Sequence, residues 1–395
     1  MLRLGLGIRT RLRRARQRRR GVLDDEYLEA RTVTALLREP AAPLVATEVG
    51  DGPLRVAVVV PFFNQGSGGH MTIANLVRGL ERLGHSCSLW IDDPGHRCAG
   101  GPDGAAQNLR AWFGPFDAEV EYGFDAWHGA DVVVATGWQT VARVRLLGDV
   151  AARAYLVQDH EPEFFGTSAQ RLWAQDSYRH GLYPITAGPW LAEVMRDEYG
   201  LPATHFELAV DADLYRPQPV ERRDDVVLFY ARASTPRRGV PIALVALAEL
   251  KRRRPGVELW FYGHGWPPAV DFPFRNLGTV DGPELARLYS TATVGLVLSM
   301  TNYSLVPQEM LACGLPCVEL DSPSIVAAFG HDGPVELAPP EPLALAQAIE
   351  RLLDDPTLRA QRARAGAEFV AAKTWEAAAR QVEAGLRAAI AHAQR

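Results

Sequence analysis

Residues 294–323, VGLVLSMTNYSLVPQEMLACGLPCVELDSP, set an apolar run, a polar turn and a capped helix in immediate succession. Val294 to Leu298 is a continuous apolar stretch of strand length, the pattern of a parallel strand covered on both faces. Thr301, Asn302 and Ser304 then supply turn and N-cap chemistry, and Pro307 suits an early helical position. A helix opening there directs unpaired backbone N–H groups and a positive dipole end toward the carboxyl edge of the sheet, where open α/β folds place ligands. Glu309 falls about one turn inside that helix. A carboxylate only accepts hydrogen bonds, so its use beside an anion site is to receive ligand hydroxyls, such as those of a nucleotide ribose. The same residues also fit an ordinary strand and amphipathic helix closed by Gly314, with Glu309 in solvent. At this level the two readings stand side by side.

Working outward, the same alternation recurs along the chain. Arg55 to Phe63, RVAVVVPFF, reads as a buried strand, and NQGSGGHMTIANLVRGLERLGHSCSLWI continues it as a Gly-rich turn, an amphipathic helix and a second strand. Asp131–Ala135, Ala154–Val157 and His205–Ala209 are further strands, with helices over Ala169–Tyr178 and Pro189–Glu198. Asp211 to Arg223, DADLYRPQPVERR, interrupts the rhythm with prolines and charges, and a strand at Val226–Tyr230 restarts it. Helix Val240–Arg253, strand Val257–Tyr262 and helix Pro283–Ser290 then lead back to the opening stretch. The chain therefore divides into a basic arm, helix and connector (1–52), a first Rossmann-like domain (53–215), a second (216–370) and a C-terminal helix (371–395), each domain built on a parallel sheet.

Length and composition agree. At 395 residues the chain exceeds one ordinary core, and 47% hydrophobic with 23% charged residues is typical of a soluble globular protein. No apolar run approaches the roughly 18 residues that span a bilayer. Cys87, Cys98, Cys313 and Cys317 show neither zinc-ligand spacing nor a disulfide framework, which suits a cytoplasmic protein. Charge is uneven: the first twenty residues, MLRLGLGIRTRLRRARQRRR, carry nine arginines and no acid. With Leu2, Leu4, Leu6 and Ile8 beside them, they suit an anionic membrane surface on the inner face of the plasma membrane, against the alternative of a solvated tail. A nucleic-acid partner is not expected.

Three clusters carry potential chemistry. Gly66, Gly68 and Gly69 follow the first strand and precede a helix, where missing side chains admit a ligand to backbone N–H groups. Met71 occupies the third glycine position of a dinucleotide fingerprint, so a nicotinamide enzyme is disfavoured, and no P-loop lysine follows. Past the strand Val226–Tyr230 stand Arg232, Arg237 and Arg238, and two guanidinium groups suit a diphosphate. In YLVQDHEPEFF, Gln158, Asp159, His160, Glu161 and Glu163 crowd a strand end, either to face a sugar or to cap a turn. Asp211 and Asp213 form an Asp-x-Asp in the interdomain connector, where a metal is not expected.

EMLACGLPCVELD, with SLVP before it, resembles the nucleotide-sugar motif of family 4 glycosyltransferases, whose common form is a Glu, seven residues, then Glu-Ala-Met-Ala-Cys-Gly. Glu309 matches the second Glu, which implies a contact to the donor ribose. Thr301 stands where the first Glu is usual, so the contact to the sugar departs from the pattern. Gly68 and Gly69 match a Gly-Gly turn against the donor phosphates. Arg232 matches the family's pyrophosphate arginine, and Arg238 stands where a lysine is usual. Gly263, Gly278, Ser304, Leu305 and Val306 complete the implied donor-binding set. YLVQDHEPEFF, AGPWLAEVMRDEYG and FYARASTP resemble WsaF-type rhamnosyltransferases in particular.

The resemblance implies a GT-B fold of two Rossmann-like doubly wound domains facing across a cleft, the donor on the second and the acceptor on the first. It further implies a retaining transfer of L-rhamnose from dTDP-L-rhamnose to a cell-surface glycan or its lipid-linked precursor, without metal or other cofactor. Asp159, His160 and Glu161 are expected on the catalytic side of the cleft, touching sugar. Thr301 motivates a rival expectation, a catalytically silent GT-B subunit that binds glycan or a partner enzyme.

Overall fold

The computed structural model describes residues 23–45, 49–263, 265 and 269–395, with side chains from residue 29 onward. The arginine-rich segment 1–20 lies outside the described residues. Helix α1 (Leu23–Arg38) leads into the first sheet, whose strands are β1 (Arg55–Pro61), β2 (Ser86–Asp92), β3 (Glu119–Tyr122), β4 (Ala130–Ala135), β5 (Val150–Val157), β6 (Tyr183–Ala187) and β7 (Thr204–Phe206). Their order is β3-β2-β1-β4-β5-β6-β7, and every neighbour is parallel. Val56 to Val60 are all buried, because helices cover both faces of the strand. The intervening helices are α2 (Gly68–Arg82), α3 (Gly101–Phe113), α4 (Trp138–Leu146), α5 (Ala169–Ser177) and α6 (Pro189–Asp197).

The second sheet repeats the plan with β8 (Val226–Tyr230), β9 (Glu258–Tyr262), β10 (Arg275–Asn276), β11 (Val294–Leu296), β12 (Cys317–Leu320) and β13 (Glu336–Ala338), ordered β10-β9-β8-β11-β12-β13 and all parallel. Helices α7 (Val240–Arg253), α8 (Gly282–Thr291), α9 (Leu305–Ala312), α10 (Pro323–Phe329) and α11 (Pro342–Asp354) connect and flank it. Period-two alternation divides the strands between two faces. Val227 and Phe229 pack with Ala243, Leu247, Leu345 and Ile349 of α7 and α11, while Val226 and Leu228 join Tyr289, Met310 and Leu311 on the opposite side.

From Pro342 onward the chain forms three helices. Asp355 ends α11 and caps α12 (Pro356–Ala371), its carboxylate accepting from the amides of Thr357 and Leu358 at 2.9 Å. Helix α13 (Trp375–Ala393) then returns to the first domain. Its Ala379 lies so near Gly79 of α2 that a Cβ on the glycine would stand 2.5 Å from the alanine Cβ. Gln381 accepts from the Glu207 amide at 2.8 Å, and Glu376 pairs with Arg82 at 2.8 Å. At the other end of the chain, Arg145 and Arg153 donate to the carbonyls of Leu36 and Ala42, fastening α1 and its connector along α4 and β5.

In each sheet one strand is the point from which crossovers depart in both directions: β1, between β2 and β4, and β8, between β9 and β11. Ligands in doubly wound sheets bind outside the carboxyl ends of the strands at such switch points. The topology thus marks two sites, one per domain.

Candidate active site

At the second switch point the chain leaves β11 and turns through Ser299–Ser304 into α9. Ser304 is the N-cap, with φ −125° and ψ 170°, yet its hydroxyl does not cap the helix. That hydroxyl is buried and has no hydrogen-bond partner among the described residues. Beside it the first amides of α9, at Leu305 and Val306, have no partner within the helix, which together with the dipole makes an anion-binding corner. One turn further, Glu309 sits among tyrosines. Tyr289 donates to its Oε2 at 3.4 Å, and burial pushes its carboxyl up to about 7.

The neighbouring strand ends supply positive charge. Arg232 follows β8, half-buried, with one guanidinium nitrogen 3.4 Å from the Tyr230 hydroxyl. Gly263 ends β9 at φ +96°, where a Cβ would meet the Tyr230 ring at 2.8 Å, so only glycine fits. Its amide donates to the Gly278 carbonyl at 2.8 Å, bringing two of the expected donor glycines together. Arg238 lies in the 3-10 turn Pro236–Arg238 and donates to Ser299 Oγ at 2.7 Å. Arg232, Arg238, Gly263, Gly278, Ser304, Leu305, Val306 and Glu309 therefore gather at one sheet edge, drawn from four strand ends.

Thr301 and Asn302 do something different: they cross to the first domain. Asp159, at the end of β5, accepts from Thr301 Oγ1 and the Asn302 amide at 3.0 Å each, and from the His160 amide at 2.9 Å. Arg237 completes the group, its Nε 3.2 Å from Asp159 and its guanidinium 4.1 Å above the Phe164 ring. Burial outweighs pairing at both ends, raising the Asp159 carboxyl and lowering the Arg237 guanidinium from their ordinary values. Asn302 also donates to the carbonyls of Gln158 and Ala187 at 3.0 and 2.8 Å and accepts from Ser324. Tyr303 follows it across, its hydroxyl accepting from the Leu208 amide at 3.0 Å.

The sequence-based expectation that Asp159, His160 and Glu161 touch sugar meets side chains already committed to protein partners. Asp159 joins the domains. His160 stacks on Tyr178 at 6.0 Å and bonds the Tyr199 hydroxyl at 2.9 Å through Nε2. Glu161 is buried in the first domain, where Tyr155 donates to one oxygen at 2.6 Å and the Trp138 amide, opening α4, to the other at 2.9 Å. Burial pushes its carboxyl up to about 7, against those hydrogen bonds. The crowding of polar groups was legible; that tyrosine hydroxyls, Arg237 and backbone amides of the protein itself engage them was not. Gln158 is the member of this segment whose side chain lies beside the Gly-rich turn, 3.5 Å from where a Cβ on Gly69 would be.

The first switch point holds a cavity lined by Pro61 at the end of β1 and Phe62 after it, Asp92 at the end of β2, Trp138 and Gln139 opening α4, and Thr32 of α1. The Trp138 indole N–H is buried with no partner among the described residues, a donor facing no acceptor of the protein. Arg97 lies 3.7 Å over the Phe62 ring. Nearby, His70 follows Gly68 and Gly69, bonds Ser67 at 2.8 Å and packs between Phe63 and Phe113, and burial lowers its imidazole to about 4. None of the aromatic residues here was singled out from sequence, since each sits in an apolar context that a core also explains. Asp211 of the Asp-x-Asp accepts from the amides of Asp213 and Leu214 at 3.1 and 3.2 Å, so it organises its own turn. The four cysteines are buried thiols.

Residues 224–355 match the family described as glycosyl transferases group 1. The chain is 34% identical over 268 residues to the O-antigen biosynthesis protein RfbC of Myxococcus xanthus, covering 66% of this chain and 21% of that protein. It is 31% identical over 191 residues to the glycogen synthase of Mycobacterium tuberculosis, covering 45% of this chain and 44% of that one. The chain thus spans less than half the length of these relatives. Among solved structures, HepE of Anabaena, in complex with UDP and glucose, superposes with a TM-score of 0.64 at 15% identity, covering 85% of this chain and 99% of that one. The chain has the GT-B fold, and its second domain matches the group 1 glycosyl transferases.

Proposed function

We propose that this protein transfers a hexose from a nucleotide sugar to a hydroxyl of a cell-surface glycan or its lipid-linked precursor, with dTDP-L-rhamnose as donor and retention at the anomeric carbon. The observation that carries the reading is the convergence of Arg232, Arg238, the open amides of α9, the unpartnered Ser304 hydroxyl and the Glu309 carboxylate at the second switch point. Positive groups there suit a diphosphate and the carboxylate suits ribose hydroxyls. The similarity to the O-antigen biosynthesis protein RfbC supports a surface glycan as acceptor, and the resemblance to rhamnosyltransferases supports the sugar.

In this reading the bond from the anomeric carbon to the diphosphate oxygen breaks while a bond to the acceptor oxygen forms. The acceptor's proton passes to the departing diphosphate. Charge growing on that leaving group is stabilised by Arg232, Arg238 and the start of α9, which act more strongly on the transition state than on the bound donor. These groups supply the positive charge, so the reading assigns no metal or other cofactor. The acceptor enters at the first switch point, where Phe62 and Trp138 offer apolar faces and Asp92 and Gln139 polar ones. Among the described residues no helix is long and apolar enough to cross a membrane. The reading places the protein on the inner membrane face through residues 1–20, and removing them should reduce sedimentation with anionic liposomes most clearly at low salt.

One observation favours a second reading. Thr301 stands where the family pattern has Glu, and its hydroxyl is bonded to Asp159. A silent subunit that binds nucleotide sugar without turning it over would fit that substitution. A thermal-shift panel of nucleotide sugars tests the first step common to both. dTDP-L-rhamnose should raise the melting temperature most, and no response to any nucleotide sugar or nucleoside diphosphate would overturn the donor site.

A further inference from the structure

Glu319 lies in the middle of β12, in the run Cys317–Leu320, and is fully buried. A carboxylate inside a parallel sheet is costly unless its oxygens are satisfied. Its Oε2 accepts from the Ser299 amide at 3.0 Å and the Leu320 amide at 2.6 Å, while Oε1 has no geometric partner among the described residues. Burial pushes the carboxyl up to about 7, and the Ser299 side chain, the two amides and Arg238 act against that rise. Ser299 is also buried, and its hydroxyl accepts from Arg238 at 2.7 Å. A hydroxyl that accepts from a guanidinium has its own proton left to donate, and the Glu319 carboxylate is the acceptor beside it. The three side chains form a line from the sheet interior to the edge where the donor diphosphate is read: Glu319, Ser299, Arg238.

We infer that Glu319 is a positioning residue of the donor site, orienting the Arg238 guanidinium toward the diphosphate by fixing Ser299 through both its amide and its hydroxyl. The inference rests on the reading of Arg238 as a phosphate ligand. Arginine loses much rotamer freedom when held in one geometry, so a partner that pre-orders it leaves less to be ordered on binding. Thr301, two residues beyond Ser299, departs from the family pattern, whereas this buried acid stands directly behind the same turn.

The test compares affinities for a nucleoside and its diphosphate, by calorimetry, in the parent, Arg238→Ala, Ser299→Ala, Glu319→Gln and the Arg238→Ala/Glu319→Gln double variant. Uridine with UDP and thymidine with dTDP serve as probes. Glu319→Gln and Ser299→Ala should each weaken diphosphate binding about tenfold, the scale of one charge-assisted hydrogen bond, and leave nucleoside binding unchanged. In the Arg238→Ala background Glu319→Gln should have no further effect on that preference. A diphosphate preference that falls in Arg238→Ala but survives both Glu319→Gln and Ser299→Ala would overturn the inference and leave the donor reading intact. A preference that survives Arg238→Ala would overturn the reading of Arg238 as a phosphate ligand, on which the inference rests, and leave Arg232 and the start of α9 to read the diphosphate. Should Glu319→Gln fail to fold, Glu319→Asp, which keeps the charge but draws the carboxylate back from the Ser299 amide, takes its place: a similar loss of diphosphate affinity supports the inference, and a diphosphate preference like the parent's overturns it.

Discussion

The raised pKa of Glu309 makes nucleotide binding depend on pH in a direction the structure dictates. Its carboxyl is pushed from 4.5 to about 7 by burial beside Tyr289, with the tyrosine's hydrogen bond opposing. In the free protein the folded state therefore binds more protons than the unfolded chain between those values, and this group makes stability fall as pH rises through the window. Ribose hydroxyls favour the charged form, so binding has to release the proton wherever Glu309 carries one. With a pKa of about 7, the apparent dissociation constant is multiplied by about 11 at pH 6 and about 1.1 at pH 8, a change of about tenfold. Glu309→Gln keeps a carbonyl acceptor but no charge, and the difference between neutral and charge-assisted bonds is also worth about tenfold. Calorimetry with UDP and dTDP at pH 6 and pH 8 should thus find parent and variant nearly equal at pH 6 and about tenfold apart at pH 8. Titration of the ligand's own phosphates cancels in that ratio. A ratio unchanged between the two pH values would refute the ribose role and the buried carboxyl behind it.

Asp159→Ala should cost about 3 kcal/mol, because it leaves half-buried Arg237 without its carboxylate and Thr301 and the Asn302 amide without their acceptor; a larger radius of gyration by X-ray scattering should accompany the lower melting temperature, and a melting temperature like the parent's would refute the interdomain tie. Gly188→Ala should destabilise by about 2–4 kcal/mol, since φ is +88° and the new Cβ would lie 2.5 Å from Tyr303 Cε1. Chemical denaturation checks it, with a loss below about 1 kcal/mol counting against the contact. His70, held near 4 by burial, stays neutral in the fold while the unfolded chain takes a proton at about 6.5, so stability is lost as pH falls through that window. His70→Gln should flatten the melting-temperature slope between pH 6.5 and 4, and a parallel slope in parent and variant would contradict the burial.

Strands such as β1, β4, β8, β9 and β11 and the helix at Leu305 were legible because continuous apolar runs and N-cap chemistry are local signals, whereas strands β6, β10, β12 and β13 were not read. Helix α3 was not: its Gly-Pro-Asp-Gly opening reads as loop, and only Ala105, Leu109 and Phe113, spaced along one face and buried, make it a helix. Strand β3 alternates acids with Val120 and Tyr122 at a sheet edge, where little burial marks it. The return of α13 to the first domain was invisible, since helical spacing reveals a face without revealing what covers it; Gly79, small where Ala379 approaches, and Gly385, small against Thr204 and Ile185, are its traces in the sequence. At the site, Glu309 and the arginines were found because motif and charge coincide. Glu319 was missed although an acid within the buried run CVEL is itself a signal, and Gln158 was seen in its cluster without being separated from Asp159. Local pattern identifies a polar cluster, but whether it faces ligand or backbone depends on the partner domain.

The central claim is transfer from a nucleotide sugar by groups on the second domain, and nucleoside diphosphate release tests it most directly. Purified protein given dTDP-L-rhamnose and a glycan acceptor should release dTDP in an acceptor-dependent manner, and Arg238→Ala, with the fold intact by melting temperature, should lower the rate by about 100-fold, the scale for losing one preorganised charge contact to a transition state. Nucleotide-sugar binding without release of diphosphate, across donors with different bases and sugars, would contradict the account and leave a binding subunit in its place.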